Sequence, residues 1–260
     1  RPFWGRRIMF ADGPITKPTG LYLAPGGIAT VTVPHKLVGK GYRVQVGALN
    51  TNHISKKQHR RMDRITVSIE VTNTVTTVAN PLGGGLYFIV PYQANDGHVT
   101  VKVSGAVVQA PIFSNTSVRR TTQADWERVR DAPGPWADFE TDKFLMQVPR
   151  LWVFKLGYDH VAKLLAGYDR AMDGVNELNG FFGDGFHKDK HLLWLQTDRA
   201  IKYNVYGTGY PQVNVLCAAD DHGPWNNPRN GPAGISKFWL VNDPVSFHVT
   251  YHKLGHAMHM

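Results

Sequence analysis

Up to about residue 115, β-branched and aromatic residues come in short runs that alternate with polar residues or cluster together. Leu21–Leu23, Ala29–Val33, Arg43–Val46, Ile65–Ile69, Val75–Val78, Leu86–Val90 and His98–Val103 are runs of this kind. Successive side chains of an extended chain point to opposite faces, so a period of two predicts strands with one face turned inward. Pro25-Gly-Gly27, Asn80-Pro-Leu-Gly-Gly-Gly85 and Asn95-Asp-Gly97 separate the runs with residues that favour turns. Seven or so short strands spaced in this way predict a β-sandwich over 1–115.

The period changes near residue 116. Thr122 to Arg130 reads as a short helix opened by a hydroxyl residue, and Phe144–Val148 as a strand that stops at Pro149. From Tyr158 to about Leu178, Val161, Leu164, Leu165, Tyr168, Met172 and Val175 recur at helical spacing. They predict an amphipathic helix closed by Asn179-Gly180. His191–Leu195 reads as another strand. Residues 207–235, rich in Gly, Pro, Asn and Asp, read as a long loop region of the kind that walls an active site. Val245–Met260 can form a final helix.

Composition keeps this picture globular, with 42% hydrophobic and 19% charged residues in a chain of 260. That length allows one large domain or two ordinary ones. No apolar run reaches the ~18 residues of a membrane span, so no transmembrane segment is expected. The opening Arg1-Pro-Phe-Trp, with no visible signal peptide, reads as a processed or truncated start. The single Cys217 excludes an internal disulfide framework, and within Val213–Ala219 it reads as a buried, inert thiol. The glycosylation sequon Asn115-Thr-Ser117 is compatible with secretion but short enough to occur by chance.

Charge narrows the partners. A formal net charge of +9 favours anionic surfaces. The densest basic run, Lys56-Lys57-Gln-His-Arg60-Arg61 with Arg64 beyond it, reads first as a solvated loop and second as a surface for acidic glycans or membranes. Nucleic acid is not expected as a partner, because no zinc finger, recognition-helix signature or ribonucleoprotein aromatic motif accompanies the charge.

Candidate chemistry concentrates in the last nine residues, His252-Lys-Leu-Gly-His256-Ala-Met-His-Met260. In the zinc-protease motif H-E-x-x-H, two histidines four apart share one helix face and one Zn²⁺, and the Glu takes a proton from the metal-bound water. Here His252 and His256 hold the ligand positions and Lys253 holds the general-base position. An ammonium with an ordinary pKa of ~10.4 cannot accept a proton at neutral pH. Placed about 5 Å from a bare Zn²⁺, it would cost on the order of 7 kcal/mol at an effective dielectric of ~20. Deprotonation of Lys253 beside a metal, or a swing of its long side chain into water, are the ways around that conflict.

Further fragments carry a family likeness. Thr19–Gly27 followed by Thr30-Val-Thr-Val-Pro34, Val44-Gln-Val-Gly47 leading to Asn50 and Asn52, and Val78-Ala-Asn80-Pro-Leu-Gly-Gly84 running into Leu86–Pro91 form one part of it. Ala132-Pro-Gly-Pro-Trp136-Ala-Asp-Phe-Glu140, Leu145-Met-Gln-Val-Pro149 and Gly207-Thr-Gly-Tyr210-Pro211 continue it towards Tyr251–His256. In this order the fragments resemble the enhancin-like, mucin-degrading metallopeptidases (peptidase family M-sixty). The resemblance implies an α+β fold: a β-sandwich accessory domain over 1–115, then a zincin-like domain of gluzincin type over 116–260, truncated at its metal helix. It also implies one zinc and heavily glycosylated protein substrates. A third ligand, a Glu on a following helix, is expected to be missing, so zinc would be bound at low occupancy or not at all.

Three functions are open at this point. The first is an extracellular or cell-surface protein that recognises glycoproteins or anionic glycans, with peptidase activity impaired or lost. The second is an active zinc metallopeptidase of glycoproteins, if the chain is a fragment. The third is a matrix or membrane-associated interaction protein that keeps the scaffold only for binding. The remaining candidates are softer. His248, His252, His256 and His259 would form one stripe on a helix, able to bind metal adventitiously, as a vestigial zinc site or as a new one. Asp220-Asp221-His222 reads as a polar loop before a metal site, Trp225 and Trp239 as core before sugar platforms, and Trp126, Trp136 and Trp152 as packing residues.

Overall fold

The computed structural model describes residues 14–48, 65–178, 193–198, 205–208, 210–214 and Leu240. Its first part is a pair of facing sheets. Ile15–Leu23 (β1), Arg43–Val46 (β3), Val67–Glu70 (β4), Gly84–Val90 (β6) and Val107–Gln109 (β8) lie in the order β4-β3-β6-β1-β8. Ile28–Thr32 (β2), Val75–Ala79 (β5) and Lys102–Gly105 (β7) lie in the order β5-β2-β7. Every ladder in both sheets is antiparallel.

The alternation in the sequence shows directly in β2, where Ala29 and Val31 are buried and Ile28 and Thr32 exposed. The buried pair packs with Val78 across the sandwich onto Val44, Val46, Leu86 and Phe88. Alternation fails in β6, where residues Gly85 to Ile89 are all buried. Leu86 and Phe88 enter the sandwich core, whereas Tyr87 and Ile89 turn the other way and pack with Ala48 and Leu145. A strand covered on both faces can be apolar throughout, which explains the unbroken run Leu86–Val90.

The second part is a mixed sheet covered by helices. Ile112–Asn115 (β9), Trp136–Thr141 (β10), Phe144–Pro149 (β11), Leu193–Asp198 (β12), Val205–Thr208 (β13) and Tyr210–Asn214 (β14) run in the order β13-β14-β12-β11-β10-β9. The helix Gln123–Val129 (α1) links the parallel pair β9/β10, and Tyr158–Leu178 (α2) links the parallel pair β11/β12. Ala137 and Phe139 of β10 and Phe144, Met146 and Val148 of β11 pack against Trp126 of α1 and Val161, Leu165, Tyr168 and Met172 of α2. The opposite face of β10 and β11 meets β6 through Leu145, Tyr87 and Ile89. This is the expected α+β architecture.

Several expectations are corrected. The region 207–235 is not loop from its start, because β13 and β14 form a hairpin with Gly207 opposite Pro211. Pro211 lies in the β13–β14 ladder, and the β12–β14 ladder begins one residue later, at Gln212. The strand placed at His98–Val103 lies at Lys102–Gly105, while Val99 and Val101 pack against the sandwich core outside the ladder. The strand placed at His191–Leu195 lies at Leu193–Asp198. The short strands β8 and β9 were not anticipated. Trp126 and Trp152 are buried as packing residues, but Trp136 at the head of β10 is only half-buried.

Candidate functional site

His252, Lys253 and His256 lie outside the described residues, as do His248, His259, Asp220–His222, Trp225, Trp239, Cys217 and the basic run 56–61. Among the described residues, no group of three His, Cys, Asp or Glu side chains could hold a metal. The structure therefore describes the scaffold upstream of the histidine pair, beginning with α2.

Helix α2 is positioned by charge as well as by its apolar stripe. At the β10–β11 turn, the Thr141 hydroxyl donates to Asp169, and the Lys143 ammonium reaches both Asp173 oxygens at 2.8 and 2.9 Å. Burial pushes the Asp169 carboxyl above its ordinary value, partly opposed by the Thr141 hydrogen bond and the Lys143 charge. Near the start of the same helix, His160 Nε2 donates to the carbonyl oxygen of Leu240. Leu240 is fully buried in the helix–sheet core. The chain is thus tied to α2 twelve residues before His252 (252 − 240).

A second polar constellation, missed in the sequence, lies where β10 and β11 face β6. Asp138 and Glu140 are two apart on β10 and so share one face, opposite to Ala137 and Phe139. Tyr87 Oη donates to Asp138 Oδ1 at 2.9 Å and accepts from Gln147 Nε2 at 2.6 Å. Ser114 Oγ on β9 donates to Glu140 Oε1 at 2.6 Å. Burial is the largest influence on Asp138 and pushes its carboxyl up to about 7; the Tyr87 hydrogen bond opposes this and the Glu140 charge adds to it. Burial also raises Glu140, against the cationic fields of Lys17 and Arg119. A period-two reading of Trp136-Ala-Asp-Phe-Glu140 would have placed both acids on one face.

Known proteins share this architecture. The sequence profile of the N-terminal domain of M60-like peptidases matches residues 13–104, and that of peptidase M60, enhancin and enhancin-like, matches residues 106–228. A TRPM8 channel-associated factor homolog from Danio rerio is 31% identical over 195 residues, covering 74% of this chain and 20% of the relative. TRPM8 channel-associated factor 3 from Rattus norvegicus is 27% identical over 219 residues, covering 80% of this chain and 23% of the relative. The chain thus spans about a fifth to a quarter of the length of these curated relatives. Among solved structures, the ZmpB metallopeptidase from Clostridium perfringens superposes with a TM-score of 0.60 at 12% identity, over 81% of this chain and 46% of that one. The M60 catalytic domain of C. perfringens ZmpC, in complex with the sialyl T antigen, gives 0.59 at 11% identity over 90% and 52%. IMPa from Pseudomonas aeruginosa, in complex with an O-glycopeptide, gives 0.54 at 16% identity over 79% and 27%. At these identities the likeness to the solved structures is one of fold.

Proposed function

The chain belongs to the M60, enhancin-like peptidase family, and on that premise we propose that it recognises mucin-type glycoproteins while its peptidase chemistry is impaired or lost. Lys253 carries the proposal. In an intact site the metal lowers the pKa of a bound water and a carboxylate takes its proton. His252 and His256 are a suitable imidazole donor pair for zinc, but the cation between them repels the metal and offers no lone pair at neutral pH. The donor set thus fits binding better than hydrolysis, and no hydrolytic step is assigned to these residues.

Recognition of glycans is supported by solved neighbours that carry an O-glycopeptide and the sialyl T antigen. The net charge of +9 suits sialylated or sulfated chains. An extracellular or cell-surface location belongs to this reading. The test pairs binding with cleavage. Purified protein should retain sialylated mucin on a column without shortening it, and Lys253→Glu should confer or raise chelator-sensitive cleavage. Cleavage by the unaltered protein that stops on chelation would overturn the impaired-site reading and favour an active peptidase. Equal retention of neutral and acidic mucins would overturn the charge-based preference.

A second reading is favoured by the curated relatives, which are TRPM8 channel-associated factors. On this reading the scaffold serves a membrane-associated interaction and needs neither zinc nor glycan. Tight association with a membrane-protein partner that survives both chelation and deglycosylation would select it over the first.

A further inference from the structure

We propose that the buried seam around Asp138, where the sandwich meets the helix-covered sheet, is a proton-operated latch, closed when Asp138 is protonated and loosened when it ionises. The geometry carries the inference. Asp138 lies in register between Ile112 of β9 and Gln147 of β11, so it sits within the sheet and not at its rim. Its carboxyl faces β6, where Tyr87 Oη meets it at 2.9 Å, and it is 3% exposed. The apolar wall beside it consists of Ala48, Ile89 and Leu145. Among the described residues no salt bridge reaches Asp138. A carboxylate in such a place loses hydration that one hydroxyl and the neighbouring apolar side chains do not replace.

The groups facing this contact come from each packed element. Lys17 and Tyr22 stand on β1, Tyr87 on β6, Glu140 on β10, Asp142 at the β10–β11 turn and Arg119 in the turn after β9. Lys17 and Arg119 act on Glu140, which also holds the Ser114 hydroxyl. Glu140 in turn adds negative field at Asp138. The two acids therefore differ in role: Glu140 has cations and a hydroxyl to stabilise its charge, and Asp138 has the tyrosine alone among these groups. The raised Asp138 carboxyl, at about 7 against the ordinary 3.8, agrees with that geometry.

The direction follows from linkage. Between the unfolded and folded values the folded chain binds more protons, so stability falls as pH rises from about 4 to about 7 and stays lower above that. The layers are held most firmly in acid.

The experiment uses the full chain. Asp-carboxyl ¹³C NMR should show one resonance titrating near neutrality that Asp138→Asn removes. Hydrogen exchange of β6 and β10, corrected for the intrinsic pH dependence, should rise across the same range in the native protein and stay flat in Asp138→Asn. If that variant does not fold, Tyr87→Phe serves instead. It removes the donor that favours the charged form, so the resonance should move to higher pH. An Asp138 resonance that titrates below pH 5, or exchange that rises equally in Asp138→Asn, would overturn the latch.

Discussion

Thr122 and Asp125 satisfy each other's backbone amides at the head of α1, with Thr122 Oγ1 accepting at 3.1 Å and Asp125 Oδ2 at 3.3 Å. Replacing Thr122 by Ala leaves an N-terminal amide without its partner and should cost ~1 kcal/mol in urea denaturation. Hydrogen bonds from the Thr122 side chain, then from Arg128 and the Thr122 backbone, lower the Asp125 carboxyl to about 2. The sign here is opposite to that at Asp138. The carboxylate's share of the cap is fully present above about pH 4 and is lost as pH falls through about 2. Acidification over that range should therefore lower the protection of the Thr122 amide, which donates to that carboxylate, read by NMR hydrogen exchange corrected for the intrinsic pH dependence. One turn further on, Trp126 is buried against Phe113 and Phe139 and donates to the Leu156 carbonyl at 2.8 Å. Trp126→Ala removes the ring and leaves that carbonyl without its donor, so a loss of ~3–5 kcal/mol is expected by the same denaturation measurement.

Elements were legible where one period dominates. The stripe Val161 to Met172 marked α2, and its limits Tyr158–Leu178 match the sequence reading. The strands β3 and β11 were equally plain, because Arg43–Val46 and Phe144–Val148 end at turn or proline signals. The histidine pair was legible as chemistry and lies outside the described residues. What escaped notice was set by partners distant in sequence. β8 and β9 are short and are defined by their ladders to β1 and β10. The acids of β10 gain their character only because β6 covers them. Gly84 is the same kind of case. Its φ is +148°, and a Cβ there would stand 2.6 Å from both the Cα and the N of Gly47. Neither backbone atom can move aside without parting β3 from β6, whose ladder includes the Val46–Leu86 pair. Gly84→Ala should therefore destabilise by more than ~1 kcal/mol, visible as a lowered Tm.

At the scale of the whole molecule, four layers follow one another: the sheet β5-β2-β7, the sheet β4-β3-β6-β1-β8, the mixed sheet, and the two helices. The second contact in this stack is small, with Leu145 at its centre against Tyr87, Ile89 and Ala48. Leu145→Ala should open a gap there and cost ~2–5 kcal/mol. Calorimetry should show the native chain melting in one transition and this variant in two, as the sandwich and the helix-covered sheet come apart. Strand β6 has another consequence. A strand wetted on neither side offers natural variation no neutral surface, and a gene rearrangement that separated the sandwich from its neighbour would expose Tyr87 and Ile89 on one piece and Asp138 and Leu145 on the other. Each piece would bear a sticky scar, which favours keeping the two together as one unit.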